Sequence, residues 1–364
     1  MGVHRNTVIR NCTFRPDRQV GWNFDFQSAA AGCSKEIGLA DRKTSTLGLK
    51  LMHGILLLDK PEGITANKVV GIVKRNVKPS KVGHTGTLDP AATGLMVIMI
   101  GSGTRTLDYL DEHRKGYSLQ VRLGEESDTG DREGKIVRTG DPTGITLERL
   151  GEVLEKYRGV LDQVPPHFAA IKKNGVPLYK LARKGVFPEL QPRKVEVFVL
   201  ELKKWDCPIL ELEMVCSKGT YARALARDIG RDLDVGGRLE SLRRTSSGPF
   251  KVEDALALDD ISLGDAQMIR ENLISLPQAL AHIPDILIVP QDIGRLMRGN
   301  PVIFPRSRLT ELKTVQDQPP RLFKVVYGDG GVLILVRPEP KGSDLFMRPV
   351  KVFVTDDDLD ESPS

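Results

Sequence analysis

The chain contains four cysteines, Cys12, Cys33, Cys207 and Cys216, and no two of them form a C-x-x-C pair. That spacing offers no zinc knuckle and no dithiol redox motif. Cys207 and Cys216 are compatible with reduced thiols, as in a cytoplasmic enzyme. No apolar run is long enough to cross a membrane as a helix. The phosphate-binding run Gly-x4-Gly-Lys-Ser/Thr is missing, which removes support for a P-loop nucleotidase. The first fifty residues lack the apolar core of a signal peptide. Excess charge is also scarce. The net value is only +5, too small for the overall balance to assign a nucleic-acid partner.

What charge there is collects locally. Between Ile171 and Val195 stand seven basic residues, Lys172, Lys173, Lys180, Arg183, Lys184, Arg193 and Lys194, against the single acid Glu189. A patch of this kind suits phosphate contacts, although a merely solvated basic face has the same composition. At 364 residues, with 40% hydrophobic and 28% charged residues, the chain is long enough for two domains and a sizeable core.

One stretch organises the rest: Gly83-His84-Thr85-Gly86-Thr87-Leu88-Asp89-Pro90-Ala91-Ala92-Thr93-Gly94-Leu95. Asp89 is the only acid between Gly63 and Gly94, a span that also carries Lys68, Lys74, Arg75, Lys78 and Lys81. A lone carboxylate in a basic field is expected to pair with a cation, and it can serve as a nucleophile or a base. Read from spacing alone, an Asp-Pro turn between glycines explains the stretch equally well.

The run from Gly83 to Leu95 resembles the signature of TruB-type tRNA pseudouridine synthases. Lys60-Pro61-Glu62-Gly63-Ile64-Thr65 resembles that family's first motif, and Ser217-Lys218-Gly219-Thr220-Tyr221-Ala222-Arg223 its basic motif. The segments Gln163-Val164-Pro165-Pro166 through Leu178-Tyr179, and Leu242-Arg243-Arg244, match as well. The resemblance runs from about Gly54 to Phe250, with a weaker echo to about Phe353, and leaves the first fifty residues uncovered.

Taken in order, residues 1–50 read as a poorly ordered extension or as translation from an upstream start. Residues 54–59 read as a buried strand. Thr65 is a cap for a helix carrying Val69, Val70, Ile72 and Val73. Residues 96–100 form a second buried strand and 104–110 a short helix. Alternation over 116–123 places Tyr117, Leu119, Val121 and Leu123 on one face of a strand. A helix over 146–157 is expected to turn Leu147, Leu150 and Leu154 inward. A strand is expected at 168–171 and a short basic helix at 178–183. Strands follow at 195–200 and 209–216, then a helix over 220–233 and a strand over 239–247. This mixture lacks a strict βαβ rhythm, which argues for an α+β fold with a mixed, mostly antiparallel sheet and flanking helices. The resemblance implies the same, as the pseudouridine synthase fold. The expected organisation is a catalytic domain over 51–285, a small C-terminal β domain over 286–355 that resembles a PUA-like RNA-binding module, and an acidic disordered tail from 356 to 364.

The resemblance implies a reaction that isomerises uridine 55 in the TψC arm of tRNA. No redox change is involved, so no cofactor and no metal are expected. It assigns Asp89 as the catalytic carboxylate, Arg223 as its cationic partner and Tyr117 as the ring that stacks on a flipped base and handles a proton. Arg227 lies one turn beyond Arg223, and spacing alone does not choose between them. An Arg can grip a carboxylate in a bidentate fork. Substrate contacts are expected from Gly83, His84, Thr85, Gly86, Thr87, Lys60, Tyr221, Leu242, Lys180 and Arg183. The partner is the tRNA stem-loop, with no membrane and no required protein, and the enzyme is expected to be a cytoplasmic monomer. The compact C-terminal module favours the bacterial form. The rivals are a guide-RNA-dependent synthase and a non-catalytic RNA-binding or tRNA-folding protein.

Overall fold

The computed structural model describes residues 52–78, 80–110, 114–261, 266–308, 320–328 and 331–354. The expected N-terminal extension and acidic tail lie outside them. Strand β1 (Gly54–Lys60) runs antiparallel to β3 (Thr93–Ile100) in unbroken register, from Gly54 opposite Ile100 to Lys60 opposite Gly94. Both strands are apolar almost throughout because the sheet is covered on both faces. Leu56, Leu58, Met96, Ile98 and Ile100 enter one core, and Ile55, Leu57, Leu95, Val97 and Met99 enter another. Helix α1 (Ala66–Asn76) closes the first core with Val69 and Val73, and the Thr65 hydroxyl caps it by accepting from the Lys68 amide. The short β2 (Val82–His84) pairs with β3, and a 3-10 turn over Gly101–Thr106 leads into α2 (Leu107–Leu110).

The sheet continues through β4 (Lys115–Leu123), whose Leu119, Val121 and Leu123 share a third core with Tyr117. A small ribbon, β5 (Glu125–Ser127) with β6 (Ile136–Thr139), follows it. Helix α3 (Leu147–Glu155) buries Leu150, Val153 and Leu154. Leu147 does not turn inward as expected. It opens the helix on the solvent side, and Val153 completes the buried stripe. Next come β7 (Gly159–Gln163), the small ribbon β8 (Lys172–Lys173) with β9 (Val176–Pro177), and helix α4 (Leu178–Ala182). The strand expected at 168–171 is not formed. The Phe168 carbonyl turns to Arg223 instead, and the Ala169 and Ile171 carbonyls accept from Tyr179 and Leu178.

Strand β10 (Arg193–Asp206) is much longer than the expected 195–200. It pairs with β11 (Ile209–Cys216) through two register shifts that break the alternation a sequence pattern depends on. Helix α5 (Ala222–Asp232) lays Leu225, Ala226 and Ile229 on the third core. Strand β12 (Gly237–Ser247) lies between β3, which it meets in parallel, and β4, which it meets antiparallel. With β13 (Phe250–Lys251) and β14 (Leu256–Ala257), the described residues form a ten-stranded sheet ordered β14-β1-β3-β12-β4-β11-β10-β7, with β13 on β12 and β2 on β3. Two of its pairings are parallel, so the architecture is α+β with a mixed, mostly antiparallel sheet.

Beyond α6 (Ala266–Glu271) and α7 (Leu276–Ala279), helix α8 (Pro290–Met297) precedes a second sheet ordered β15-β18-β17-β16. Its strands are β15 (Val302–Phe304), β16 (Phe323–Tyr327), β17 (Val332–Lys341) and β18 (Asp344–Val354), all antiparallel. One face forms its own core with α8. From the other face, Leu333, Leu335 and Phe353 pack into the core that holds Ile55, Leu57, Leu95, Val97 and Met99. Lys324 reinforces the seam. Its ammonium donates to the Ile283 carbonyl at 2.7 Å and meets Asp285 Oδ2 at 3.1 Å.

Candidate active site

Asp89 lies in the turn between β2 and β3, closed by the Ala92 amide donating to the Asp89 carbonyl at 3.1 Å. Two clamps hold this turn. The Gly63 amide donates to the Pro90 carbonyl at 2.9 Å, and the wholly buried Lys60 ammonium donates to the carbonyls of Pro61, Ile64 and Pro90 at 2.9, 2.9 and 3.1 Å. Burial lowers the Lys60 pKa to about 8, against the opposing pull of Asp89 and Glu62. Lys60 therefore faces inward and ties the loop of residues 61–64 to the Asp89 turn.

Arg223 projects from the first turn of α5, with a side chain only 7% exposed. Its Nε lies 3.0 Å from Asp89 Oδ2. The expected fork does not form, because both terminal nitrogens are engaged elsewhere. Nη1 donates to the Thr129 carbonyl at 3.1 Å and lies 3.5 Å from Asp131 Oδ2, while Nη2 donates to the Phe168 carbonyl at 2.9 Å. The geometry also decides between the two candidate arginines. Arg227 turns to Asp228 and the Val164 carbonyl. Arg223 contacts only Oδ2 of Asp89, and the aspartate side chain remains 44% exposed. The carboxylate is thus oriented and still open to a ligand.

Tyr117, on β4, stands opposite Arg244 of β12 and packs with Leu242 between two cores. Burial raises its pKa, and the charge of the Arg244 guanidinium works against that rise. Arg244 itself is only 2% exposed. Its Nε donates to the Leu95 carbonyl at 2.6 Å and its Nη2 to the Gly86 carbonyl at 3.2 Å. One side chain thus joins the tyrosine, strand β3 and the loop that carries Asp89. Gly94 makes this possible. At φ +99°, a Cβ there would fall 2.3 Å from the Arg244 carbonyl oxygen, so any side chain would force β3 and β12 apart.

His84 ends β2 half-buried, and its Nδ1 finds no hydrogen-bond partner among the described residues. Burial lowers its pKa, and the charges of Arg244 and Lys115 add to that. An imidazole in such a setting favours the neutral form. Gly83 faces Met99 across β2 and β3, Thr85 is buried with its amide on the Val97 carbonyl, and Thr87 is exposed. At Gly86 a Cβ would come within 3.3 Å of both Lys115 Nζ and Arg244 Nη1. Tyr221 precedes α5 and is held by Gln163, which accepts from its amide at 2.8 Å and donates to its carbonyl at 3.1 Å. Burial raises the Tyr221 pKa. The field of Asp89 reaches Lys60, Tyr117 and Tyr221 alike. Lys180 and Arg183 are exposed on and just after α4, apart from this cluster, with the Arg183 guanidinium 5.7 Å from the Tyr179 ring centre.

A cleft lined by Asp89, Asp131, Arg132, Arg223, Ser241 and Leu242 opens onto the carboxylate. Asp131 and Arg244 had not been singled out in the sequence. Asp131 lies in none of the matched motifs, and Arg244 lies inside a matched segment that carries no assigned role. Among the described residues, no group of three His, Cys, Asp or Glu side chains could hold a metal ion, and no helix is long and apolar enough to cross a membrane.

Comparison with known proteins places this geometry in a family. Residues 74–222 match the TruB family pseudouridylate synthase N-terminal domain, and residues 223–283 match the tRNA pseudouridylate synthase B C-terminal domain. The tRNA pseudouridine synthase B of Syntrophotalea carbinolica is 43% identical over 250 residues, covering 69% of this chain and 82% of the relative. That of Clostridium perfringens strain ATCC 13124 is 36% identical over 296 residues, covering 81% of this chain and 98% of the relative. Among solved structures, a chain from a Cbf5-Nop10-Gar1 complex superposes with a TM-score of 0.60 at 23% identity, covering 83% of this chain and 85% of that one. At that identity the superposition speaks for the fold alone. With the sheet, the motif-bearing turn and these relatives in agreement, the chain belongs to the TruB family of pseudouridylate synthases.

Proposed function

We propose that this protein is a tRNA pseudouridine synthase that converts uridine 55 of the TψC arm to pseudouridine, with Asp89 as its catalytic carboxylate. The observation that carries the residue assignment is the Asp89–Arg223 pair, an oriented but accessible carboxylate in the lining of a cleft. The substrate follows from the relatives, which bear the name tRNA pseudouridine synthase B. The reaction is a balanced isomerisation. The N1–C1′ bond breaks, a C5–C1′ bond forms, the proton on C5 departs, and N1 gains one.

Within that reaction, Asp89 acts on the sugar and base while Arg223 fixes its direction. Tyr117 stays protonated at neutral pH, as its raised pKa favours, and offers a ring face to the extruded base. Leu242 supplies an apolar wall beside it. A base paired in a folded arm must leave its stack at a cost of a few kcal/mol. His84, with its unpartnered Nδ1, suits the space that base vacates. Lys180 and Arg183, with the exposed Lys172, Lys173, Lys184, Arg193 and Lys194, suit the RNA phosphates. The C-terminal β domain serves as a PUA-like second RNA contact. The enzyme works as a monomer in the cytoplasm and needs neither guide RNA nor protein partner.

The deciding experiment is an assay on an unmodified tRNA transcript with no other macromolecule added. Pseudouridine at position 55 is the expected product. Product only after a guide RNA and partner proteins are supplied would assign the guide-dependent class, and binding without product would assign an RNA-folding role.

A further inference from the structure

Arg132 lines the cleft that holds Asp89, and its guanidinium pairs with the carboxylate of Glu62. The two residues come from different loops, and each loop is anchored to one half of the catalytic pair. Glu62 precedes Gly63, whose amide holds the Pro90 carbonyl next to Asp89. Arg132 follows Asp131, whose carboxylate lies 3.5 Å from Arg223. Asp131 is itself fixed by the Thr129 hydroxyl at 2.6 Å and the Glu133 amide at 3.1 Å. Both halves of the bridge are therefore registered to the Asp89–Arg223 axis. The bridge is nevertheless open to solvent, with the side chains 34% and 55% exposed. Exposed pairs of this kind contribute little to stability, so giving one up costs little.

We propose that Arg132 is a phosphate ligand for the substrate strand at the cleft, and that Glu62 holds its guanidinium in place until the RNA arrives. The carboxylate and a phosphodiester offer an arginine the same thing, a pair of anionic oxygens in reach of its planar fork. A nucleotide that enters over Asp89 shares the cleft with Arg132, which lines it together with the carboxylate. The phosphodiester then takes Glu62's place, and the freed Glu62 turns to solvent. Glu62 is thus a built-in competitor for the site.

The inference rests on the proposed RNA substrate and leads to a test of sign. Binding of an unmodified TψC stem-loop is measured across a salt series with Arg132→Gln, Arg132→Lys and Glu62→Gln, each in an Asp89→Asn background so that no turnover intervenes. Arg132→Gln should weaken binding about 5–10-fold and make the slope of log K against log salt shallower by roughly 0.7–0.9, the value of one phosphate contact. Arg132→Lys should keep the slope. Glu62→Gln should tighten binding about 2–5-fold, because it removes the competitor. Equal losses in Arg132→Gln and Glu62→Gln would overturn the inference and leave the pair a simple brace between loops. Unchanged binding in both would overturn it as well. Failure of the wild-type protein to bind the stem-loop at all would instead refute the substrate reading.

Discussion

Arg244 and Tyr117 stand opposite each other on paired strands, and the guanidinium charge of the first opposes the rise that burial imposes on the pKa of the second. The same guanidinium holds the Leu95 and Gly86 carbonyls, so the tyrosine and the Asp89 loop share one buried support. Replacing Arg244 by Met keeps much of the volume and removes all of these bonds. Buried acceptors left unmade cost about 1–3 kcal/mol each. The Arg244→Met protein is expected to melt well below wild type while retaining its secondary structure, which thermal unfolding followed by circular dichroism will read.

Asp89→Asn is expected to abolish isomerisation while RNA binding survives. The amide keeps the shape of the carboxylate but loses its charge and its nucleophilic oxygen. Turnover above a few per cent of the wild-type rate would remove Asp89 from the chemistry.

Tyr117→Phe and Arg223→Lys should slow the chemical step far more than they weaken binding. Phe keeps the ring and loses the hydroxyl, and proton-transfer help is typically worth about 10²–10⁴ in rate. Lys at 223 keeps a charge near Asp89 but cannot also reach the Thr129 and Phe168 carbonyls as the guanidinium does. Single-turnover rates and filter-binding constants on one stem-loop will separate the two effects. Proportional losses in rate and affinity would make both residues binding groups.

Lys60 gives a pH signature. Its pKa falls from 10.5 to about 8 in the fold, so between those values the unfolded chain binds more protons than the native one. Stability contributed by this site therefore rises as pH climbs from about 8 toward 10.5. Below 8 both states hold the proton and the burial penalty is constant. Urea unfolding of wild type and Lys60→Met at pH 7.5 and 9.5 should show this rise in the wild type and its loss in the variant. Parallel shifts in both proteins would exclude Lys60 as the source.

The sequence carried the local features well. Thr65 caps α1 as its position suggested, and the apolar runs of β1 and β3 became the twice-covered centre of the sheet. Asp89 and Arg223 meet although 134 residues separate them, and it was the family motif that pointed to the contact. What the sequence hid was non-local. Period-two reasoning missed most of β10 because bulges interrupt its alternation. The segment at 168–171 has strand-like residues, yet its carbonyls are drawn off by Arg223 and α4. Helix α8 falls inside the stretch whose sequence reads as a small β domain, although Pro290 stands in its first turn, where proline commonly opens a helix. Arg244 gave no sign that it would be buried, since the carbonyls it serves, Leu95 and Gly86, lie far back in the chain.

The seam between the two sheets limits how this protein can be cut or recombined. Leu333, Leu335 and Phe353 supply part of the cover for Ile55 and Leu57 of β1 and for Val97 of β3, the strand that leaves the Asp89 turn. Excising everything after Pro284 would strip that cover and turn the back of the catalytic sheet into an adhesive apolar surface. The C-terminal sheet is therefore no interchangeable cassette. A chimera with a foreign module would need to reproduce those three side chains before its active site could stay in shape.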